Sequence, residues 1–149
     1  RLGVSSNHWP GRMELFKLRS GASVLLDGAH NPKSIETLSR NLKTLFPHRR
    51  KILIFGTSRD KRSDRMLPLL SKTASFCILT RSQNSRSKEV ASLLSEARGK
   101  FPVLVPCPSP KEAFELARRR AKAGDLIVVT GSFYLLGDIR PLVRAESRR

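Results

Sequence analysis

Val24-Leu25-Leu26-Asp27-Gly28-Ala29-His30-Asn31-Pro32 opens the part of the chain that decides the fold. A short apolar run ends in a carboxylate. Gly28 permits a sharp turn, and Asn31 with Pro32 supplies an N-cap and a first helical turn. The segment therefore reads as a strand, Val24–Asp27, a tight loop and the start of a helix.

Outward from this segment the same alternation repeats. Lys33–Phe46 carries Ile35, Leu38, Leu42 and Leu45 on one helical stripe, closed by Pro47. Ile52–Phe55 is a continuous apolar run of the kind covered on both faces in a parallel sheet. Arg62–Ser71 reads as a short helix in which Pro68 sits in the first turns or makes a kink. Phe76–Leu79 is a strand. Lys88–Ala97 is a helix with Val90, Ala91, Leu93, Leu94 and Ala97 inward, and Gly99 is its end signal. Val103–Val105 is a short strand, and Pro110–Ala123 is a helix capped by Ser109. Leu126–Thr130 is the last strand and Phe133–Val143 the last helix. Upstream, Met13–Leu18 alternates apolar and polar residues, and Ser20-Gly21 turns it into Val24–Asp27 as a hairpin.

Strict alternation of strand and helix after Val24 predicts an α/β, Rossmann-like three-layer sandwich. The sheet is expected to have six strands, mostly parallel with one antiparallel, and about five helices. The 149 residues fit one domain, with a core of about 9–143 and frayed ends at Arg1–Asn7 and Arg144–Arg149. The chain lacks an initiator Met and reads as a piece of a longer protein.

Composition narrows the function classes. No apolar stretch approaches the roughly 20 residues that span a bilayer, and the N-terminus has no signal-peptide core. Cys77 and Cys107 form no CxxC pair, and His8, His30 and His48 have no metal-ligand spacing. A reducing, cytoplasmic setting and no metal site in this domain are expected. The formal net charge is +17, from 29 Lys and Arg against 12 Asp and Glu. Such a surplus either solvates a basic surface or attracts polyanions. With one Trp, one Tyr and seven Phe, mostly in apolar runs, the chain offers no evident base-stacking platform. No RNA-recognition, KH or zinc-finger pattern occurs, so nucleic acid is not favoured. Arg118-Arg119-Arg120 and Arg49-Arg50-Lys51 read as solvated surface.

In an open parallel sheet, ligands gather beyond the carboxyl ends of strands. Three stretches stand there or close by. Asp27–Pro32 is a well-made turn and cap, in which Asp27 also suits ribose hydroxyls and His30 a cleft. In Trp9-Pro10-Gly11-Arg12-Met13-Glu14, Arg12 is either an ordinary surface residue or a bidentate phosphate contact. In Thr130-Gly131-Ser132-Phe133-Tyr134-Leu135-Leu136-Gly137, Ser132 is an N-cap whose neighbouring amides also suit an anion. Neither a Walker A loop nor a GxSxG elbow occurs.

In this order and spacing the three stretches resemble the folylpolyglutamate synthase/dihydrofolate synthase family of the Mur ligase superfamily. The likeness runs from about Trp9 to Val143. It implies the C-terminal domain of an ATP-dependent ligase that adds L-glutamate to folates through an acyl phosphate. It implies that Arg12 and Asp27 contact the nucleotide, that His30 and Ser132 lie on the glutamate side, and that Gly28, Asn31, Asp60 and Lys61 support the loops. ATP is then a substrate, and Mg2+ is bound mainly by an N-terminal P-loop ATPase domain absent from this chain. That domain, ATP, folate and L-glutamate are the implied partners. The isolated domain is expected to be inactive and monomeric. One position departs from the family: after Asp60-Lys61, where the family usually has a second acid, stands Arg62, with Asp64 as a candidate substitute. The alternatives are the C-terminal domain of a Mur-type cell-wall amino-acid ligase, disfavoured by Gly28 and Ser132–Gly137, or a non-catalytic basic α/β module that binds anions or nucleic acid.

Overall fold

The computed structural model describes residues 10–148. Trp9, His8 and the N-terminal stretch read as frayed lie outside them. Six strands and five helices follow in the order β1 (Glu14–Lys17), β2 (Ser23–Asp27), α1 (Pro32–Leu45), β3 (Lys51–Phe55), α2 (Ser63–Leu70), β4 (Phe76–Leu79), α3 (Val90–Ala97), β5 (Val103–Pro106), α4 (Pro110–Arg120), β6 (Leu126–Thr130) and α5 (Phe133–Glu146). The sheet order is β1-β2-β6-β3-β4-β5. Only the β1–β2 pair is antiparallel, joined through Gly21 at φ +95°. The expected α/β sandwich, with its hairpin, is the observed one.

Side-chain alternation along the strands makes two cores. Leu25, Leu53, Phe55, Cys77, Leu79 and Val128 pack under α1, α2 and α3. Val24, Leu26, Ile52, Ile54, Ile78 and Val129 pack under α4 and α5 on the other face. Because both faces are covered, the central strands are apolar at nearly every position, which is why they read as runs.

Several boundaries differ from the sequence expectation. Helix α4 stops at Arg120 rather than Ala123, because Ala121 is already extended and Gly124 turns at φ +91°. Helix α5 runs on to Glu146, and the tail beyond it is tied rather than frayed: Arg148 N–H donates to the Lys17 carbonyl at 2.7 Å. Helix α3 begins at Val90, since the Lys88 amide is used by the Thr57 carbonyl. Ala91 is exposed, not inward; Leu93 and Ala97 carry the buried stripe. Pro68 lies in the second turn of α2, where it lacks the amide that would reach back one turn.

The sheet order places β6 between β2 and β3. Helix α1 leaves β2 toward one face, whereas α5 leaves β6 toward the other. Their connecting loops part above the carboxyl ends of β2, β6 and β3, which leaves a crevice there.

Candidate functional site

The loop after β2 is built around Asp27. Its Oδ1 accepts from the Ala29 amide at 2.9 Å, and its Oδ2 from the Met13 amide at 3.1 Å. The second bond holds the Pro10–Met13 turn against the loop, with Met13 at φ +48°. Gly28 N–H donates to the Gly11 carbonyl at 2.6 Å. Burial pushes the Asp27 carboxyl above its ordinary value, against the two amides and the nearby Arg12 charge, which pull it down. Arg12 itself is exposed. Gly28 is not in the left-handed region; its lack of a side chain makes room for the Phe133 ring instead.

His30 and Asn31 complete the loop. His30 Nδ1 lies 2.8 Å from the Gly28 carbonyl. A carbonyl can only accept, so Nδ1 carries the proton of the neutral ring and Nε2 keeps the free lone pair. Asn31 caps α1, accepting from the Ser34 amide at 2.8 Å, while Ser34 Oγ accepts from the Asn31 amide at 3.2 Å. Across the crevice, Ser132 caps α5 and accepts from the Tyr134 amide at 3.0 Å. Glu14, whose role the sequence left unassigned, accepts from the Gly11 amide and clasps the Arg140 guanidinium at 2.8–3.2 Å. It thereby anchors the Arg12 turn to α5.

A cleft of about 370 Å³ opens between these loops, lined by His30, Ser58, Asp60, Lys61, Ser132 and Tyr134 among others. Four of the expected site residues, His30, Asp60, Lys61 and Ser132, thus meet in one space. Arg12 and Asp27 are not among its lining residues; Asp27 stands three residues before His30 on the same loop, and the Arg12 charge acts on it. Arg86 joins the cleft from the loop after β4, and with Arg59 it lines a side cleft of about 270 Å³. Arg86 has no local sequence signal, because only the sheet order brings the β4 loop beside that of β3. Phe133 and Tyr134, inside the quoted motif, are about half exposed and also line the cleft.

Asp60 does not cap α2. Arg62 occupies the cap position without a side-chain cap bond. Asp64, the candidate substitute for the missing acid, accepts from Arg62 through both oxygens, at 3.0 and 2.9 Å, on the exposed first turn of α2. Among the described residues no group of three or more His, Cys, Asp or Glu side chains is placed to hold a metal ion. No helix among them is long and apolar enough to cross a membrane.

Residues 11–133 match the family model described as Mur ligase, glutamate ligase domain. A curated relative, the dihydrofolate synthase/folylpolyglutamate synthase of Bacillus subtilis, is 28% identical over 145 residues, covering 94% of this chain and 32% of the relative. A UDP-N-acetylmuramoyl-L-alanyl-D-glutamate–2,6-diaminopimelate ligase of Bacillus cereus is 32% identical over 130 residues, covering 82% of this chain and 26% of the relative. The folylpolyglutamate synthase of Mycobacterium tuberculosis, solved with ADP and AMPPCP, superposes with a TM-score of 0.81 at 24% identity, over 97% of this chain and 34% of that one. That likeness is one of fold. The chain thus spans about a third or less of the length of these proteins.

Proposed function

The chain belongs to the Mur ligase, glutamate ligase domain family, and from that premise we propose that it is the C-terminal domain of an ATP-dependent ligase that adds L-glutamate to folates. The observation that carries this reading is the meeting of His30, Lys61 and Ser132 in one cleft, with Asp27 on the His30 loop and the Arg12 charge close to it. The relatives named for folate ligation match nearly the whole chain.

The chemistry asks for positioning and charge neutralisation rather than a protein nucleophile. A folate carboxylate attacks the γ-phosphate of ATP, giving an acyl phosphate and ADP. The glutamate amine then attacks the acyl carbon, phosphate leaves, and the amine gives up its proton. In this reading Asp27, whose oxygens each retain a lone pair after their amide bonds, accepts from the ribose hydroxyls. Arg12 sits beside it to meet phosphate oxygens. His30 Nε2 accepts from the incoming amine, and Ser132 with the α5 amino terminus holds a glutamate carboxylate. Lys61 adds positive charge for the anionic reactants. A P-loop domain outside this chain supplies the remaining phosphate contacts and the magnesium site. The isolated chain is therefore expected not to turn over.

The test is glutamate-dependent ADP release by the full coding sequence with a folate acceptor, with Asp27→Ala and Arg12→Ala beside the wild type. Loss of about 2 kcal/mol or more of transition-state stabilisation in both variants supports the two roles. Undiminished turnover in the variants overturns those roles and leaves the family in place.

The identity to a diaminopimelate ligase favours a second reading, a Mur-type cell-wall ligase. Turnover with 2,6-diaminopimelate and a muramoyl-dipeptide acceptor, and none with glutamate and folate, would establish it.

A further inference from the structure

The basic clusters that the sequence scatters along the chain meet on one side of the fold. Parallel register puts the amino ends of β2, β3, β4, β5 and β6 on a common edge, opposite the cleft. The segments leading into those strands bring Arg49 and Arg50, Lys72, Arg98 and Lys100, and Lys122 to that edge. The helices end there too, so Arg118, Arg119 and Arg120 of α4 and Arg144 of α5 join them. Lys17 and Arg19 come from the end of β1, and Arg148 from the tail that pairs with it.

Some of these cations build the edge itself. Arg49 donates to the Gly124 carbonyl at 2.7 Å, to Ser23 Oγ at 2.9 Å and to the Asp125 carbonyl at 3.2 Å, and it lies over the Phe46 ring. Arg50 donates to the Arg120 carbonyl at 2.9 Å and to Asp125 Oδ2 at 2.8 Å. The acids near this edge are consumed locally: Asp125 by Arg50, and Glu115 and Glu146 by Arg118. Lys72, Arg98, Lys100, Arg119, Arg120 and Lys122 are exposed, and none lies within salt-bridge distance of an acid among the described residues.

Helix dipoles do not account for such a surplus. Five helix carboxyl ends present about half a negative charge each, and the cations here exceed that several-fold. Nor does a small anion. Six strands at about 4.8 Å spacing make an edge about 24 Å wide, far longer than a nucleotide. That width matches about seven base pairs of duplex, with two phosphates for every roughly 3.4 Å of axis. Arginine, which predominates here, grips phosphate with a planar fork. A membrane surface fits less well, because among the described residues only one large exposed apolar side chain, Val103, lies at this edge; Phe133 and Tyr134 are at the opposite end.

We infer that the amino edge of the sheet is a docking surface for the phosphate backbone of nucleic acid, independent of base sequence and separate from the ligase cleft. The absence of a stacking platform limits the contact to phosphates.

The full coding sequence is titrated by fluorescence anisotropy with a labelled duplex of about 20 base pairs, from about 50 to 200 mM salt. Binding is expected to weaken steeply with salt and to be indifferent to base sequence. The combined variant R119E, R120E, K122E should lose affinity about tenfold or more and flatten the salt slope by about three. The variant K72E, R98E, K100E, on different elements, should do the same, and it decides the matter if the first fails to fold by circular dichroism. A control at the other end, K33E, R65E, K111E, should stay within about twofold. Equal losses in the control reduce the effect to net charge and overturn the surface. So does an absence of duplex binding at about 50 mM salt, or binding to phosphatidylserine vesicles but not to duplex. Glutamate-dependent ADP release is expected unchanged in both edge variants, so failure here is distinguishable from failure of the ligase reading.

Discussion

A Cβ at residue 28 would lie 2.4 Å from Cε1 of Phe133, so the loop after β2 and the first turn of α5 approach as they do because residue 28 is glycine. The contact ties the Asp27 loop to the Ser132 cap. It joins two sides of the cleft that are more than a hundred residues apart in sequence.

The two glycines of the cleft should respond differently to a methyl group. Phe133 is half exposed, and its ring can swing toward solvent, so Gly28→Ala should cost about 1 kcal/mol. Gly131 is at φ +113°, and a Cβ there would meet the Gly56 carbonyl oxygen at 2.2 Å. Neither that dihedral nor that backbone can yield cheaply, so Gly131→Ala should cost about 3 kcal/mol. Urea midpoints at equal m-values measure both, and equal costs would refute the distinction.

Removing the Asp27 carboxylate leaves two amides, Met13 and Ala29, without their acceptor. Asp27→Ala should therefore destabilise the chain by about 2 kcal/mol. It should also release the Pro10–Met13 turn. Amide exchange at Met13 ought to accelerate far more than exchange in β6; parallel acceleration would mean that Asp27 does not hold the turn.

Acid stability should carry opposite signatures from two carboxylates. Burial alone would raise Glu14, but the Arg140 hydrogen bonds, the Gly11 amide and the charges of Arg140 and Arg144 outweigh it, so the group sits below its ordinary value of 4.5. Its contribution is present above pH 4.5 and is lost as pH falls through the lowered folded value. Asp27 is raised above 3.8, chiefly by burial. Its ionisation thus favours unfolding, and its contribution, full below pH 3.8, is lost as pH rises through the raised value. Glu14→Gln should flatten the fall in stability on acidification, whereas Asp27→Asn should steepen it. Thermal midpoints between about pH 3 and 6 decide both signs.

The helix caps at the cleft are separable from its chemistry. Asn31→Ala and Ser132→Ala should each cost about 1 kcal/mol through the lost cap. Under the ligase reading Ser132→Ala should also raise KM for glutamate. A KM unmoved in a folded variant would confine Ser132 to capping.

Much of this was legible in the residues themselves. The runs at Ile52–Phe55 and Leu126–Thr130 read as buried strands because both sheet faces are covered, and Asn31 and Ser109 announced their caps through local side-chain chemistry. The helix ends were less legible. The stop of α4 at Arg120 depends on a turn that hydrogen-bonds to the β1–β2 hairpin, where Gly124 N–H reaches the Gly21 carbonyl at 3.2 Å.

By itself the sequence determined the elements, their alternation and the three stretches that carry the family resemblance, since these depend on side-chain period and on contacts within a few residues. The tertiary structure alone decided that β6 inserts between β2 and β3, which brings Ser132 beside His30, and that β4 pairs with β3, which brings Arg86 to the cleft. It also collected Arg49, Arg98, Arg120 and Lys122 along one edge. Strand order and register arise from packing between residues far apart in the chain, and local pattern carries no record of which distant partners will meet.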